Sequence, residues 1–137
     1  MLNKKYLEVL NELKVFNEKN KNLLKTEPSN NFEDEKAYSI IEYITREIDE
    51  AAHELDHLTR EVREGVLLLN SQGRYNLDTM PEFYFTCGNI IEVYIDGQWQ
   101  RGRVEHDNKD YYFCNYEGCN LQFFEGMQAR VRVDKVS

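Results

Sequence analysis

Apolar residues fall at Ala37, Ile41, Ile44, Ile48, Ala51, Leu55, Leu58 and Val62, in steps of 4-3-4-3-4-3-4. Such spacing is the seam of an α-helix packed against another helix. Beyond Gly65 the rhythm changes to alternation in short runs, as in Ile91, Val93 and Ile95 or Ala129, Val131 and Val133. Alternation puts every second side chain on one face of a strand. The pattern predicts an α+β protein: a helical segment over residues 1–64 joined to a small β domain over residues 65–137.

Within the helical segment, Leu2, Tyr6, Val9, Leu13 and Phe16 repeat at 4-3-4-3, and Leu23 resumes the series after a polar Asn20. A first helix is expected over about residues 2–25, with Leu7 and Leu10 widening its apolar face. Pro28 forbids a continuous ladder, and Asn30 or Asn31 can cap a second helix. Glu33, Asp34 and Glu35 then sit where a helix dipole favours negative charge. Gly65, just past Arg60 and Arg63, reads as a helix stop. The second helix is therefore expected over about residues 32–64, and the short connection makes an antiparallel hairpin. That helix outruns the first, so a homodimer is expected, with Ile41, Ile44, Ile48, Leu55 and Leu58 as its seam.

The β half reads as short strands separated by turns. Gly65–Asn70 and Arg74–Leu77 flank a turn at Ser71-Gln72-Gly73, and Pro81 marks a loop over residues 78–82. Ile90–Ile95, Asp96-Gly97 and Gln98–Val104 form a strong hairpin signal, because a two-residue Asp-Gly turn suits positive φ. Asp110–Cys114 and Gln128–Val133 complete five or six strands, which fit a small bent barrel better than a sandwich.

The run Gly88-Asn89-Ile90-Ile91-Glu92-Val93-Tyr94-Ile95-Asp96-Gly97-Gln98-Trp99 carries a resemblance, together with Arg101-Gly102-Arg103-Val104-Glu105, the Tyr-Tyr-Phe strand and Glu125–Arg132. It resembles an uncharacterised family of short bacterial proteins, common on plasmids and integrative elements of Gram-positive bacteria. The resemblance covers roughly residues 65–134 and not the helices. It implies an SH3-like β-barrel and a mobile-element setting, and no mechanism.

Composition bounds the function. The chain has 137 residues with a net charge of −8, and no run is long enough to cross a bilayer. Its start mixes charges into apolar positions, unlike a signal peptide. Cys87, Cys114 and Cys119 are an odd number, so reduced thiols and a cytoplasmic location are expected. Residues 1–32 carry six Lys against four Glu, whereas residues 33–64 carry four basic against eleven acidic groups. Acid concentrated on one helix argues against a protein that coats nucleic acid.

Candidate chemistry is sparse. His53-Glu54-Leu55-Asp56-His57 matches H-E-x-x-H, in which two His at i and i+4 bind zinc and the Glu acts as base. With Leu58 it resembles the metal-binding helix of peptide deformylases, whose Glu-Gly-Cys motif has a counterpart in Glu117-Gly118-Cys119. Here that motif comes after the His helix instead of preceding it, and the glycine-rich substrate loop is absent. Leu55 and Leu58 point into the seam and turn His53 and His57 outward, so no metal, cofactor or catalytic residue is expected. Cys114 is expected in the core beside Tyr112, and Cys119 in a loop.

A surface remains. Trp99, Arg101, Arg103 and Glu105 share one strand face, and Arg130 and Arg132 share another. If those strands adjoin, four arginines with Trp99, and Tyr111 nearby, make a basic-aromatic platform of the kind that holds single-stranded nucleic acid. The competing expectation is that Trp99 plugs the barrel and the arginines pair with Glu92, Glu105 and Glu125. The sequence therefore favours a non-catalytic interaction protein with a protein partner, met through the acidic helix or the barrel face. A nucleic-acid binder and a zinc hydrolase are the alternatives.

Overall fold

The structure, a computed structural model, describes residues 1–133. The chain divides into a helical unit, Met1–Arg60, and a β unit from Glu61 onward. Helix α1 spans Lys4–Leu23 and α2 spans Phe32–His57. Asn3 and Asn31 are their N-caps, each side-chain oxygen accepting a backbone N–H of the first turn (Lys5 N at 3.0 Å, Asp34 N at 3.1 Å). Antiparallel contact between the helices is fixed by Lys14–Asp56 (3.1 Å) near one end and by Tyr38, which donates to the Leu24 carbonyl (3.0 Å), near the other.

Helix α2 ends seven residues before the expected stop. The chain leaves it through Leu58 and Thr59 and begins strand β1 at Val62, which spans Val62–Leu69. Arg63 and Val62 are thus strand residues, and the unit boundary falls after Arg60 and not after Glu64. Gly65 lies inside β1. A Cβ there would run into the side chains of Asp78 and Thr79. Those two residues stitch the next loop across β1: Asp78 Oδ1 accepts from Val66 N at 2.9 Å, and Thr79 donates to the Glu64 carbonyl at 2.7 Å. The glycine marks a close crossing and not a helix terminus.

The β unit continues with β2 (Tyr75–Leu77), β3 (Ile90–Ile95), β4 (Gln98–His106), β5 (Tyr111–Asn115), β6 (Asn120–Gln122) and β7 (Gln128–Arg132). These make one antiparallel sheet in the order β2-β1-β7-β3-β4-β5-β6. Asp96 and Gly97 both have positive φ (51° and 79°), as a two-residue hairpin turn requires. The fold class is α+β, two helices followed by a small antiparallel β domain, as the change of rhythm predicts. Inner-face residues of β1, β2, β3, β4, β5 and β7 pack with Phe85, Phe123 and Met127 into one core. A single sheet that buries its own inner face against itself has to curl. Phe113, not Cys114, is the core residue of β5, and Cys114 faces outward with Tyr112. β6 carries no periodic signal, because Leu121 is the one apolar residue in it and three residues give no alternation.

Candidate functional site

Two surfaces emerge, one in each unit. On the β unit, β3 lies between β7 and β4, so the two arginine-bearing strands do not pair but share a neighbour. Register sets Glu92 opposite Arg101 on one side and Arg130 on the other, with Glu64 opposite Arg130 beyond. The outer face thus carries a cross-strand row of alternating charge, Glu64–Arg130–Glu92–Arg101.

Glu92 is the hub of that face. Its carboxylate accepts from Arg130 Nε at 2.6 Å, Arg132 Nε at 2.8 Å and Arg101 Nη1 at 3.0 Å. Although Glu92 sits on the outward side of β3, it is 4% exposed, covered by those guanidinium groups. Burial pushes its carboxyl up, and the hydrogen bonds from Arg132 and Arg130 more than reverse this, holding it at about 2 against an ordinary 4.5. Three charge-assisted bonds on one carboxylate give a rigid centre that keeps a net positive charge. Trp99 belongs to this face and does not plug the core: the Arg130 guanidinium lies 4.1 Å from its ring centroid, and Tyr94 packs edge-on at 5.2 Å.

Of the expected surface residues, Trp99, Arg101, Arg130 and Arg132 are brought together. Arg103 is exposed and reaches Glu105 at 3.8 Å. Tyr111 is not part of the platform: it is partly buried, packs against the core, and its ring stands 4.5 Å from His106. Glu125 serves the backbone, accepting from Leu69 N at 2.9 Å. What composition alone hides is that one glutamate serves three arginines, a consequence of β3 lying between β7 and β4.

In the helical unit, the buried or half-buried residues along the facing sides of the helices include Leu7, Leu10, Leu13, Asn17 and Asn20 on α1, and Tyr38, Ile41, Thr45, Ile48, Asp49, Ala52, Leu55 and Asp56 on α2. Only part of each expected seam is therefore used. On α2, Ile41, Ile48 and Leu55 turn inward, but Ile44 is 40% exposed and Ala37 and Ala51 are exposed. Leu58 caps the helix and is half-buried. On α1, Tyr6, Val9, Phe16 and Leu23 all remain exposed. The inward line includes two polar residues the periodicity does not show, Asn17 and Thr45, both buried. Thr45 returns its hydroxyl to the Ile41 carbonyl (2.7 Å), and Asn17 Nδ2 donates to Asp49 Oδ1 (2.8 Å).

One side of the hairpin is closed by charge. Lys14 reaches Asp56, and Lys21 reaches Asp49 at 3.0 Å, which with Asn17 holds the Asp49 carboxyl below its usual range. Successive helical residues rotate by about 100°. Going round α1 from Lys14 and Lys21, one meets Leu10 and Asn17, then Leu13 and Asn20, then Val9, Phe16 and Leu23. Going round α2 from Asp49 and Asp56, one meets Thr45 and Ala52, then Ile41 and Ile48, then Ile44, Ala51 and Ile40. The side opposite the ion pairs is thus an open apolar flank formed by both helices.

His53 is exposed, its Nδ1 2.8 Å from the Asp49 carbonyl. Among the described residues, no group of three or more His, Cys, Asp or Glu is placed to hold a metal ion. Cys87, Cys114 and Cys119 are free thiols, and Cys87 Sγ lies 3.5 Å from Glu105 Oε2. Among the described residues no helix is long and apolar enough to cross a membrane.

Residues 65–131 match the model of a protein family described as "Domain of unknown function (DUF5348)". The match runs from Gly65 within β1 to Val131 within β7 and leaves out the helical unit. No curated protein and no solved structure matches the chain.

Proposed function

We propose that this chain is a non-catalytic interaction protein whose helical unit binds protein, with the β unit, read as an SH3-like barrel, as its rigid carrier. One observation carries the reading: on the flank opposite the ion pairs, Val9, Phe16 and Leu23 of α1 and Ile40 and Ile44 of α2 are all at least 40% exposed. Contiguous apolar surface of this kind marks a protein contact far more often than a reaction site. The resemblance of residues 65–134 sets such a contact in a bacterial mobile element, where it would modulate a host nucleic-acid or defence system.

Chemical cross-linking of the tagged full chain in its source cells, followed by nuclease treatment, tests the reading. A protein joined to residues within 2–24 or 32–58, and lost when Phe16→Asp and Ile44→Asp are combined, is expected. A partner retained only through nucleic acid, or untouched by those changes, contradicts it.

The nucleic-acid alternative draws on the meeting of Trp99 with three arginines on one face. Glu92 accepts from each of those arginines and holds them against the sheet, so we expect no binding of single-stranded DNA or RNA at about 10 µM that weakens steeply with salt. Salt-sensitive binding abolished by Arg101→Ala with Arg103→Ala, in a folded variant, would move the function to nucleic acid.

A further inference from the structure

A helix that packs on one neighbour needs one apolar stripe, whereas a helix in a four-helix bundle faces two neighbours and needs a wider one. Both helices of this unit carry the wider stripe. On α1 the heptad series Leu2, Tyr6, Val9, Leu13, Phe16 and Leu23 is offset from the inward line Leu10, Leu13 and Asn17, and the two share Leu13. On α2 the series Ile41, Ile44, Ile48, Ala51 and Leu55 is likewise offset from the inward line, and Ile44, Ala51 and Ile40 fall on its outer side. In each helix one half of the stripe is satisfied inside the hairpin and the other half faces the open flank. The inner half alone is thin: Leu10 and Ala52 are the fully buried apolar residues among those described in this unit.

Building on the reading of the helical unit as a protein-binding element, we propose that the flank is covered by the same flank of a second copy, so that two hairpins make a four-helix bundle. Two observations select a copy over another occupant. The first is area. Val9, Phe16 and Leu23 of α1 with Ile40 and Ile44 of α2, each at least 40% exposed, offer on the order of 100 Å² apiece, or roughly 500 Å² per copy, so that two copies reach the roughly 1,000 Å² in total that a specific interface needs. The second is charge. Helix α1 carries five Lys against three Glu, and α2 carries two basic against nine acidic residues. A two-fold axis running parallel to the helices sets α1 of each copy against α2 of the other, bringing the basic helix to the acidic one across both new seams, whereas an axis across the helices would set acidic α2 against acidic α2. An isologous contact of this kind requires the same patch to be self-complementary under that rotation, and a flank that is basic on one helix and acidic on the other meets the requirement.

Sedimentation equilibrium of the full chain at tens of micromolar, the range of ordinary association constants, reads the proposal directly. The expected mass is twice 16.3 kDa. Phe16→Asp with Ile44→Asp should give a monomer with an intact β unit. Because aspartates could also unfold the helices, the milder Phe16→Ala and Ile44→Ala variants are measured alongside, with helicity checked by circular dichroism. Each should raise the dimer dissociation constant at least tenfold, and His53→Gln on the far side of α2 should leave it within twofold. A monomeric wild type overturns the second-copy proposal, and a dimer indifferent to all four flank substitutions overturns it equally. A monomeric wild type that cross-links a different protein through the same helices would leave the broader reading standing, so the two failures are distinguishable.

Discussion

The β unit buries twelve residues in one core, from Leu67 to Val131, whereas the helical unit buries Leu10 and Ala52 beside the polar Asn17 and Thr45. The two halves have similar lengths and adopt opposite strategies. A curled sheet encloses its apolar face with its own strands and even draws an outward glutamate, Glu92, under three arginines. A two-helix hairpin has no third layer, so half of each apolar stripe stays open. What the contrast teaches is why the proposed association is placed in the helical unit: its periodic pattern exceeds what its own chain covers.

The largest effect that sharpens this contrast is expected from Glu92→Ala. Removing the shared carboxylate leaves Arg101, Arg130 and Arg132 crowded on one face, and breaking a buried ion pair from one side costs about 3–5 kcal/mol. Chemical denaturation followed by Trp99 fluorescence reports the β unit, since Trp99 is the single tryptophan. A change below about 0.5 kcal/mol, the range of ordinary surface substitutions, would mean that the arginine face holds nothing together.

The same group gives the β unit an acid dependence. Its carboxyl titrates at about 2 in the folded chain against an ordinary 4.5, so folding favours the charged form. Its contribution is complete above about pH 4.5 and is lost as pH falls toward 2, by an amount on the order of 3 kcal/mol. Trp99 fluorescence across pH 2–6 should show that decline in the wild type and a flatter profile in Glu92→Gln. Identical profiles would contradict the assignment.

A smaller effect is expected in the helical unit, where His53 is exposed and bonds within its own helix. His53→Gln should change stability by no more than about 0.5 kcal/mol. Stoichiometric zinc surviving dialysis and lost in this variant would revive the metal reading.

Much of the fold could be read in the sequence because periodicity is local. The ranges of β3 and β7, the Asp96-Gly97 turn and the Asn31 cap of α2 are set by neighbours within a few residues, whereas the single Asn3 that caps α1 lies inside the range expected to be helical. The end of α2 is not, because Leu58 and Val62 continue a 3-4 spacing although the chain has already changed conformation. Gly65 owes its place to Asp78 and Thr79, a contact made by a loop more than ten residues away. At the arginine face, alternation shows which residues share a side of each strand. That β3 lies between β4 and β7, and so delivers Glu92 to three arginines, is a matter of strand order, which alternation does not encode. In the helices the heptad steps are real, but they mark the full width of a stripe and do not say which half the hairpin uses.

Mass action offers the most direct test of the central claim that the helical unit is completed by association and the β unit is not. Thermal unfolding of the full chain, tracked by circular dichroism at 222 nm and by Trp99 fluorescence, would be repeated at concentrations from about 1 to about 100 µM, since a folded state stabilised by a partner copy melts higher as concentration rises. The account predicts that the helical transition moves up by several degrees while the Trp99 transition stays fixed. A helical transition that is independent of concentration would contradict it.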